Sequence, residues 1–582
     1  MKLNLSHLHQ TALWASVLGM FAFIFHFGFS QSYTAQQFID GFYFIVITLG
    51  LVSTFARFLN NPNPFKRKVW VFDLISVIYT VFVFFMYLFI GEAFTTDLIL
   101  ENPIWVVLAV ILSFIRELSE VKINYSRAFL NPAQLFIISF LLIILFGTFM
   151  LKLPNATHNG LSYIDALFTA TSAVCVTGLI VVDTGTYFTT FGQCIILFLI
   201  QVGGLGILTF ASYFSYFFKG GSTYENQLSL SEMNNSQKIG DVFKTLKNII
   251  LITATIELGA AVCIFFTLDT TLISPFSERA FFSIFHAISS FCNAGFSTLH
   301  SSIYESGFRF NYGLQLILII TFGLGGLGFP IVVNILTYLK HTFLNLFSRG
   351  PKKKTYKPWV LKINSRINLI TTLLLTTLGF FLFLILEYNN TLAEHTFFGK
   401  IVVALFGAAT PRTAGFNSVD MTALAFPTLM ITFLLMWIGA SPASTGGGIK
   451  TSTFAIASLN IISLAKGKNR IEIYRREIAD ISVRRAFATI SLSLIVIGLG
   501  VILITLFDPE KGLLNIAFES FSAYSTVGLS LGITASLSWV SKLIVIVIMF
   551  VGRVSMLSIM VALFKKVKHK NYRYPTEEIT IN

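Results

Sequence analysis

Charge is scarce in this chain. Only 12 % of its 582 residues are charged, against 55 % that are hydrophobic. A soluble domain carries about 25 % charged residues, so a soluble globular protein is excluded. Cysteine is nearly absent. The four present, Cys175, Cys194, Cys263 and Cys292, lie in or beside apolar stretches with neither metal-ligand nor disulfide spacing. Buried thiols are expected. The apolar runs hold no cluster of His, Asp and Glu and no nucleophile beside a base, so a polytopic membrane enzyme, one alternative reading, would lack its machinery. The Gly-rich run at 439–448 is no phosphate loop, because Ile449 separates Gly448 from Lys450 and no strand precedes it. The first apolar run, about 11–30, lacks a small-residue cleavage site and reads as a span rather than a signal peptide.

What the chain has is long apolar runs and a mean hydropathy of +0.76, the composition of an integral membrane protein. Its net charge of +14 does not point to nucleic acid. The basic residues stand between the apolar runs, as on the cytoplasmic side of a membrane protein. A short signature recurs four times: CVTGL at 175–179, CNAGF at 292–296, RTAGF at 412–416 and STVGL at 525–529. Its glycines, Gly178, Gly295, Gly415 and Gly528, are spaced about 113–120 residues apart, an internal repeat. Before each lies a half-apolar segment too short to cross a bilayer (162–174, 278–291, 398–410, 513–524), flanked by long apolar runs. The unit reads as membrane helix, re-entrant helix, strand, membrane helix. Irregular backbone at membrane depth is tolerated only where it is buried or lines a wet cavity. Four such strands around one axis would form a ring of carbonyls able to replace a cation's water shell.

The chain divides accordingly. Residues 1–131 hold about four helices (11–30, 39–58, 69–91, 103–116), the last short with a charged end, and no legible chemistry. The repeats span 132–220, 221–340, 341–465 and 466–582. Their outer helices are expected near 133–153, 247–268, 367–388 and 486–507. Their inner helices are expected near 191–218, 313–340, 425–465 and 538–564, only the third interrupted, by 439–448. Twelve spans, with basic links at 340–366 and 465–485 inside, would leave both termini cytoplasmic.

These signatures, with TGLIVVDTG at 177–185 and STGGGIKT at 444–451, resemble the Trk/Ktr/HKT superfamily of potassium transporters from about Asn131 onward. The resemblance implies an all-α polytopic membrane protein of four covalently linked, pseudo-fourfold repeats. It implies K⁺ as the transported ion, no organic cofactor, and a plasma-membrane homodimer resting on a cytosolic ring of nucleotide-binding regulatory subunits. The K⁺ ligands would be backbone carbonyls of Cys175, Val176, Thr177 and Gly178; of Cys292, Asn293, Ala294 and Gly295; of Arg412, Thr413, Ala414 and Gly415; and of Ser525, Thr526, Val527 and Gly528. Serine in place of the first glycine accompanies Na⁺-favouring members; glycine in all four places favours K⁺. A sodium-permeable or sodium-coupled transporter is the alternative within the fold. The four helices before the repeats depart from the family pattern.

The resemblance makes 439–448, with Gly446, Gly447 and Gly448, a mobile intramembrane loop beneath the filter, preferred here to a static kink. Arg553, inside the last apolar run, would help close the path with Lys450 nearby; a membrane-buried arginine must face a pore or a partner. Glu257 and His286 are expected to be packed and hydrogen-bonded, and Asp183 to be either a loop cap or a cation attractor at the mouth.

Overall fold

Long apolar runs become helices because each backbone donor and acceptor then finds its partner within the segment. The computed structural model describes residues 6–60, 70–89, 104–118, 132–206, 242–270, 272–347, 361–556 and 559–560. Four helices come first: α1 (Ser6–Gly28), α2 (Tyr33–Asn60), α3 (Trp70–Phe89) and α4 (Ile104–Leu118). They close around Tyr43, Val46, Ile47, Val83, Val107 and Val110. The charged end of α4 is buried, with Glu117 paired to Arg57 and Arg116 to Asp73. Charges at such depth persist only when paired. Bundle and remainder meet where Asn155 Nδ2 donates to Phe27 O (3.1 Å) and the rings of Phe27 and Phe191 stack.

Three helices follow: α5 (Pro132–Leu151), α6 (Tyr163–Cys175) and α7 (Thr190–Leu205). The next group is α8 (Val242–Thr267), α9 (Phe276–Phe291), α10 (Tyr312–Leu327) and α11 (Phe329–Phe347). Then come α12 (Ile363–Glu387), α13 (Phe397–Ala409), α14 (Phe426–Trp437) and α15 (Thr451–Ala465). The last are α16 (Asp480–Phe507), α17 (Leu513–Ser525) and α18 (Trp539–Val554). Among the described residues the only sheet is a two-residue pairing, Glu472–Ile473 with Arg476–Glu477. Side-chain caps start many of these helices. Ser162, Thr189, Asn311, Thr396 and Ser538 each accept from the backbone N–H three residues on.

The long helices turn apolar side chains outward: Leu258 and Phe266 on α8, Leu373 and Ile385 on α12, Ile502 and Leu506 on α16. An outer face of this kind fits lipid as solvent. Inside, cores are shared between successive groups. One joins α5–α7 to α17 and α18 and takes in Phe285 and Cys292. Another joins α8–α10 to Phe406 and Phe416, and a third joins Val403 and Met436 to Phe518 and Val527. The four groups therefore close into a ring.

The expected continuous inner helices are corrected. α7 stops at Leu205, before Gly206 (φ +79°). The helix expected over 313–340 breaks at Gly328 (φ +82°), where α10 and α11 meet at a bend of 107°. α18 stops at Val554, before Ser555 (φ +72°). All four inner helices thus break, not the third alone. Residues 207–218, 557–558 and 561–564 of the expected helices lie outside the described residues. Five described helices are long and apolar enough to cross a membrane, six counting the bent pair. A second correction concerns cysteine. Cys175 and Cys292 are buried, whereas Cys194 and Cys263 are exposed on the apolar outer face. A thiol is apolar enough to sit there.

Glu387 anchors the end of α12 to the start of α14. Its carboxylate accepts from Asn390 Nδ2 (2.8 Å), Thr391 Oγ1 (2.9 Å), Ala425 N (3.0 Å) and Thr428 Oγ1 (2.6 Å). Glu387→Ala is expected to destabilise the protein by about 2–3 kcal/mol, because the buried Thr428 hydroxyl and three less buried donors lose one acceptor. Thermal unfolding in detergent measures it.

Candidate functional site

The four signatures begin where the short helices α6, α9, α13 and α17 end. In three of them the chain leaves the helix through one device. The third-position amide donates back to a serine carbonyl: Thr177 N to Ser172 O (2.8 Å), Ala294 N to Ser289 O (2.7 Å) and Val527 N to Ser522 O (2.9 Å). The second position is left-handed in all four: Val176 (φ +58°), Asn293 (+60°), Thr413 (+79°) and Thr526 (+50°). The fourth position, always glycine, is left-handed too, at +88°, +69°, +80° and +93°. The third position is not. Alternation of this kind turns successive carbonyls to one side of a strand. It is strained, since β-branched residues avoid positive φ, and backbone strain concentrates at functional sites.

The strands face one another. A Cβ on Gly178 would sit closer than 3.0 Å to Ala294 O, one on Gly415 to Val527 O, and one on Gly528 to Thr177 O. A Cβ on Gly295 would lie 2.9 Å from Gly415 Cα and 3.1 Å from Ala414 O. Each strand's third carbonyl is thus aimed at the preceding strand's glycine, in the order first, second, third, fourth and back to the first.

Short-helix hydroxyls hold this ring from behind. Gly178 N donates to Ser172 Oγ and Gly528 N to Ser522 Oγ, both at 3.1 Å. In the other two strands the hydroxyl donates instead: Ser289 Oγ to Phe296 O (2.7 Å) and Thr410 Oγ1 to Phe416 O (2.5 Å). Sequence reading missed these four residues. Their only signal was a Ser or Thr five or six positions before each glycine.

Beneath the ring, α14 and α15 are joined by an irregular segment. Ser441 N donates to Gly326 O (2.9 Å), at the break between α10 and α11, and Gly447 N to Thr526 Oγ1 (2.9 Å). Three cations hold the segment's carbonyls. Arg553 donates to Thr445 O and to Gly203 O, bridging the segment to the end of α7. Lys450 Nζ donates to Gly446 O (2.5 Å) and Gly447 O (3.4 Å). Arg412 turns away from the ring axis. Its guanidinium donates to Thr372 O (3.1 Å), Thr376 Oγ1 (3.2 Å) and Gly439 O (3.4 Å).

The chain matches the family described as TrkH, cation transport protein, over residues 104–573. It belongs to this family. The transporter is 38 % identical to the Ktr system potassium uptake protein B of Bacillus subtilis, across 77 % of this chain and 96 % of that protein. It is 37 % identical to the potassium/sodium uptake protein NtpJ of Enterococcus hirae, across 78 % and 98 %. Its fold is similar to the crystal structure of the potassium transporter TrkH from Vibrio parahaemolyticus, with a TM-score of 0.58 at 16 % identity over 89 % of this chain and 97 % of that one. The protein is accordingly an all-α, multi-pass membrane cation transporter and not an enzyme. Helices α1–α3 precede the matched residues.

The transporter's isolated polar residues serve local structure. Glu257 accepts from Gln201 Nε2 (3.1 Å) and lies 3.9 Å from Cys292 Sγ. His286 bonds Phe282 O and Ser297 Oγ, both at 2.9 Å. Asp183 caps its own turn through Thr186 N (2.8 Å) and meets His300 Nδ1 at 3.0 Å.

Proposed function

We propose that this transporter takes up potassium across the plasma membrane through the ring of four signature strands. The observation that carries this reading is the fourfold arrangement in which each third-position carbonyl faces the neighbouring strand's glycine. Carbonyls of residues 175–178, 292–295, 412–415 and 525–528 replace the water shell of K⁺. The side chain of Arg412 plays no part in this, being held by Thr372 and Gly439. The names of three similar proteins, each a potassium transporter or uptake protein, support the ion. Glycine at all four fourth positions supports K⁺ over Na⁺.

The segment 439–448 acts as the gate, with Gly446, Gly447, Gly448, Lys450 and Arg553 holding it shut. The repeats run 132–220, 221–340, 341–465 and 466–582, and residues 1–131 form a peripheral bundle. The protein works as a homodimer on a cytosolic nucleotide-binding ring, with basic links and both termini inside.

Rubidium uptake by a transport-deficient host, with and without Na⁺, tests the function. Rescue of growth at low K⁺ is expected. Uptake that follows Na⁺ alone would replace this reading with the sodium one. Orientation has its own test in a cysteine-free background. Glu394→Cys is expected to react with an impermeant thiol reagent on intact cells, and Lys468→Cys only after permeabilisation. The opposite pattern reverses the topology. Residues 348–360 of the basic link lie outside the described residues.

A further inference from the structure

The gate segment does not merely lie beneath the filter; it is tied to it, and unequally. Gly447 N donates to Thr526 Oγ1 at 2.9 Å. Thr526 is fully buried and occupies the left-handed second position of the fourth strand. A Cβ on Gly447 would collide with that hydroxyl, so the loop backbone reaches it only because residue 447 has no side chain. The same position in the second and third strands holds Asn293 and Thr413. These engage each other, Thr413 Oγ1 donating to Asn293 Oδ1 at 3.1 Å while Nδ2 donates to Phe322 O at 3.1 Å. In the first strand the position is Val176, which has no hydroxyl to offer. One filter side chain therefore accepts directly from the loop backbone.

We propose that the Thr526 hydroxyl is the latch that holds the loop shut against the filter. This rests on the reading of 439–448 as the gate. Thr526 thus has two parts: its carbonyl belongs to the ring, and its side chain positions the loop. With the loop closed, the Gly447 N–H is buried and Thr526 Oγ1 is its acceptor. With the loop swung into the wet cavity, water can replace that acceptor. Removing the hydroxyl therefore penalises the closed state and leaves the open one untouched, since a buried donor without a partner bears its full desolvation cost. Because the latch stands on a filter strand, loop closure and filter conformation bias each other by the same factor.

The test is rubidium flux into liposomes holding the full-length protein without its cytosolic partner. Thr526→Val keeps the shape and removes the acceptor; about a tenfold rise over the parent is expected. Thr526→Ser keeps the hydroxyl and is expected to conduct well below the valine variant. Thr526→Cys, a weak acceptor of similar volume, should fall between, and it decides the matter if the valine variant does not fold. If Thr526→Val and Thr526→Cys match the parent while Arg553→Ala conducts faster, the latch is wrong and the gate stands. If none of these conducts faster, the gate reading itself fails.

Discussion

Gly178→Ser is expected to abolish most of the preference for potassium, lowering the K⁺ over Na⁺ ratio by at least about tenfold, the equivalent of 1.4 kcal/mol. Two costs combine. At φ +88° any side chain is strained, by about 1–2 kcal/mol. The larger cost is spatial. The new Cβ would fall closer than 3.0 Å to the carbonyl oxygen of Ala294, a backbone atom that cannot swing aside like the tip of a side chain. That carbonyl is one of the four that face a neighbouring strand's glycine, so the ring loses its even spacing at the proposed ion site. Preference for the larger cation depends on the number and field of those oxygens. The same substitution at Gly415 or Gly528 should act as strongly, since each Cβ meets a carbonyl as closely. Gly295→Ser should be milder, because its Cβ would lie 3.1 Å from Ala414 O. Rubidium uptake competed with Na⁺ measures all four. An unchanged ratio at position 178 removes that residue from the filter.

Arg553→Ala should raise K⁺ flux at least about tenfold in liposomes without the cytosolic partner. The guanidinium spans two elements, donating to Thr445 O in the loop and to Gly203 O near the break of α7. Hydrogen bonds from a charged group contribute about 1.5–3 kcal/mol each, so losing both removes about 3–6 kcal/mol, enough to shift the gate by about a hundredfold or more. The positive charge also opposes any cation that reaches this depth. Deleting 444–448 removes the carbonyl Arg553 holds and should have the same effect. Arg553→Ala removes no contact of the ring, so that variant keeps its preference for K⁺, whereas the deletion also removes the Gly447 N–H that bonds Thr526. Lys450→Met should do less, because Lys450 binds carbonyls only three and four residues away. Should Arg553→Ala and the deletion fold yet conduct no faster, the gate lies elsewhere and 439–448 is a structural kink.

What could be read from the chain follows from quantities that exist along one dimension. Apolar length, scarcity of charge, basic links and a spacing of about 113–120 residues between Gly178, Gly295, Gly415 and Gly528 determine the membrane class, the fourfold repetition and the family. Arg553 and the loop 439–448 stood out because charge and glycine are both conspicuous against an apolar background.

The interrupted helices did not stand out. Gly203-Gly204-Leu205-Gly206 and Gly325-Gly326-Leu327-Gly328 sit in runs whose hydropathy stays high. A glycine costs an isolated helix only about 1 kcal/mol, too little to mark a break by itself. Those glycines answer instead to tertiary crowding: a Cβ on Gly203 or Gly325 would collide with the carbonyl of Val174 or Phe291 on a neighbouring helix.

The ring's order, the hydroxyl braces Ser172, Ser289, Thr410 and Ser522, and the outward turn of Arg412 were likewise decided in three dimensions. So were the buried pairs Arg57–Glu117 and Asp73–Arg116, and the tie between Thr526 and Gly447. The buried pairs and the Thr526–Gly447 tie join residues 40 or more positions apart, beyond the reach of any local pattern, while the braces are local but marked in the chain only by a Ser or Thr. The sequence by itself determined that four strands exist and that each carries a glycine. Only the tertiary structure decided which carbonyl each glycine faces, because that depends on how four helix groups close on one another.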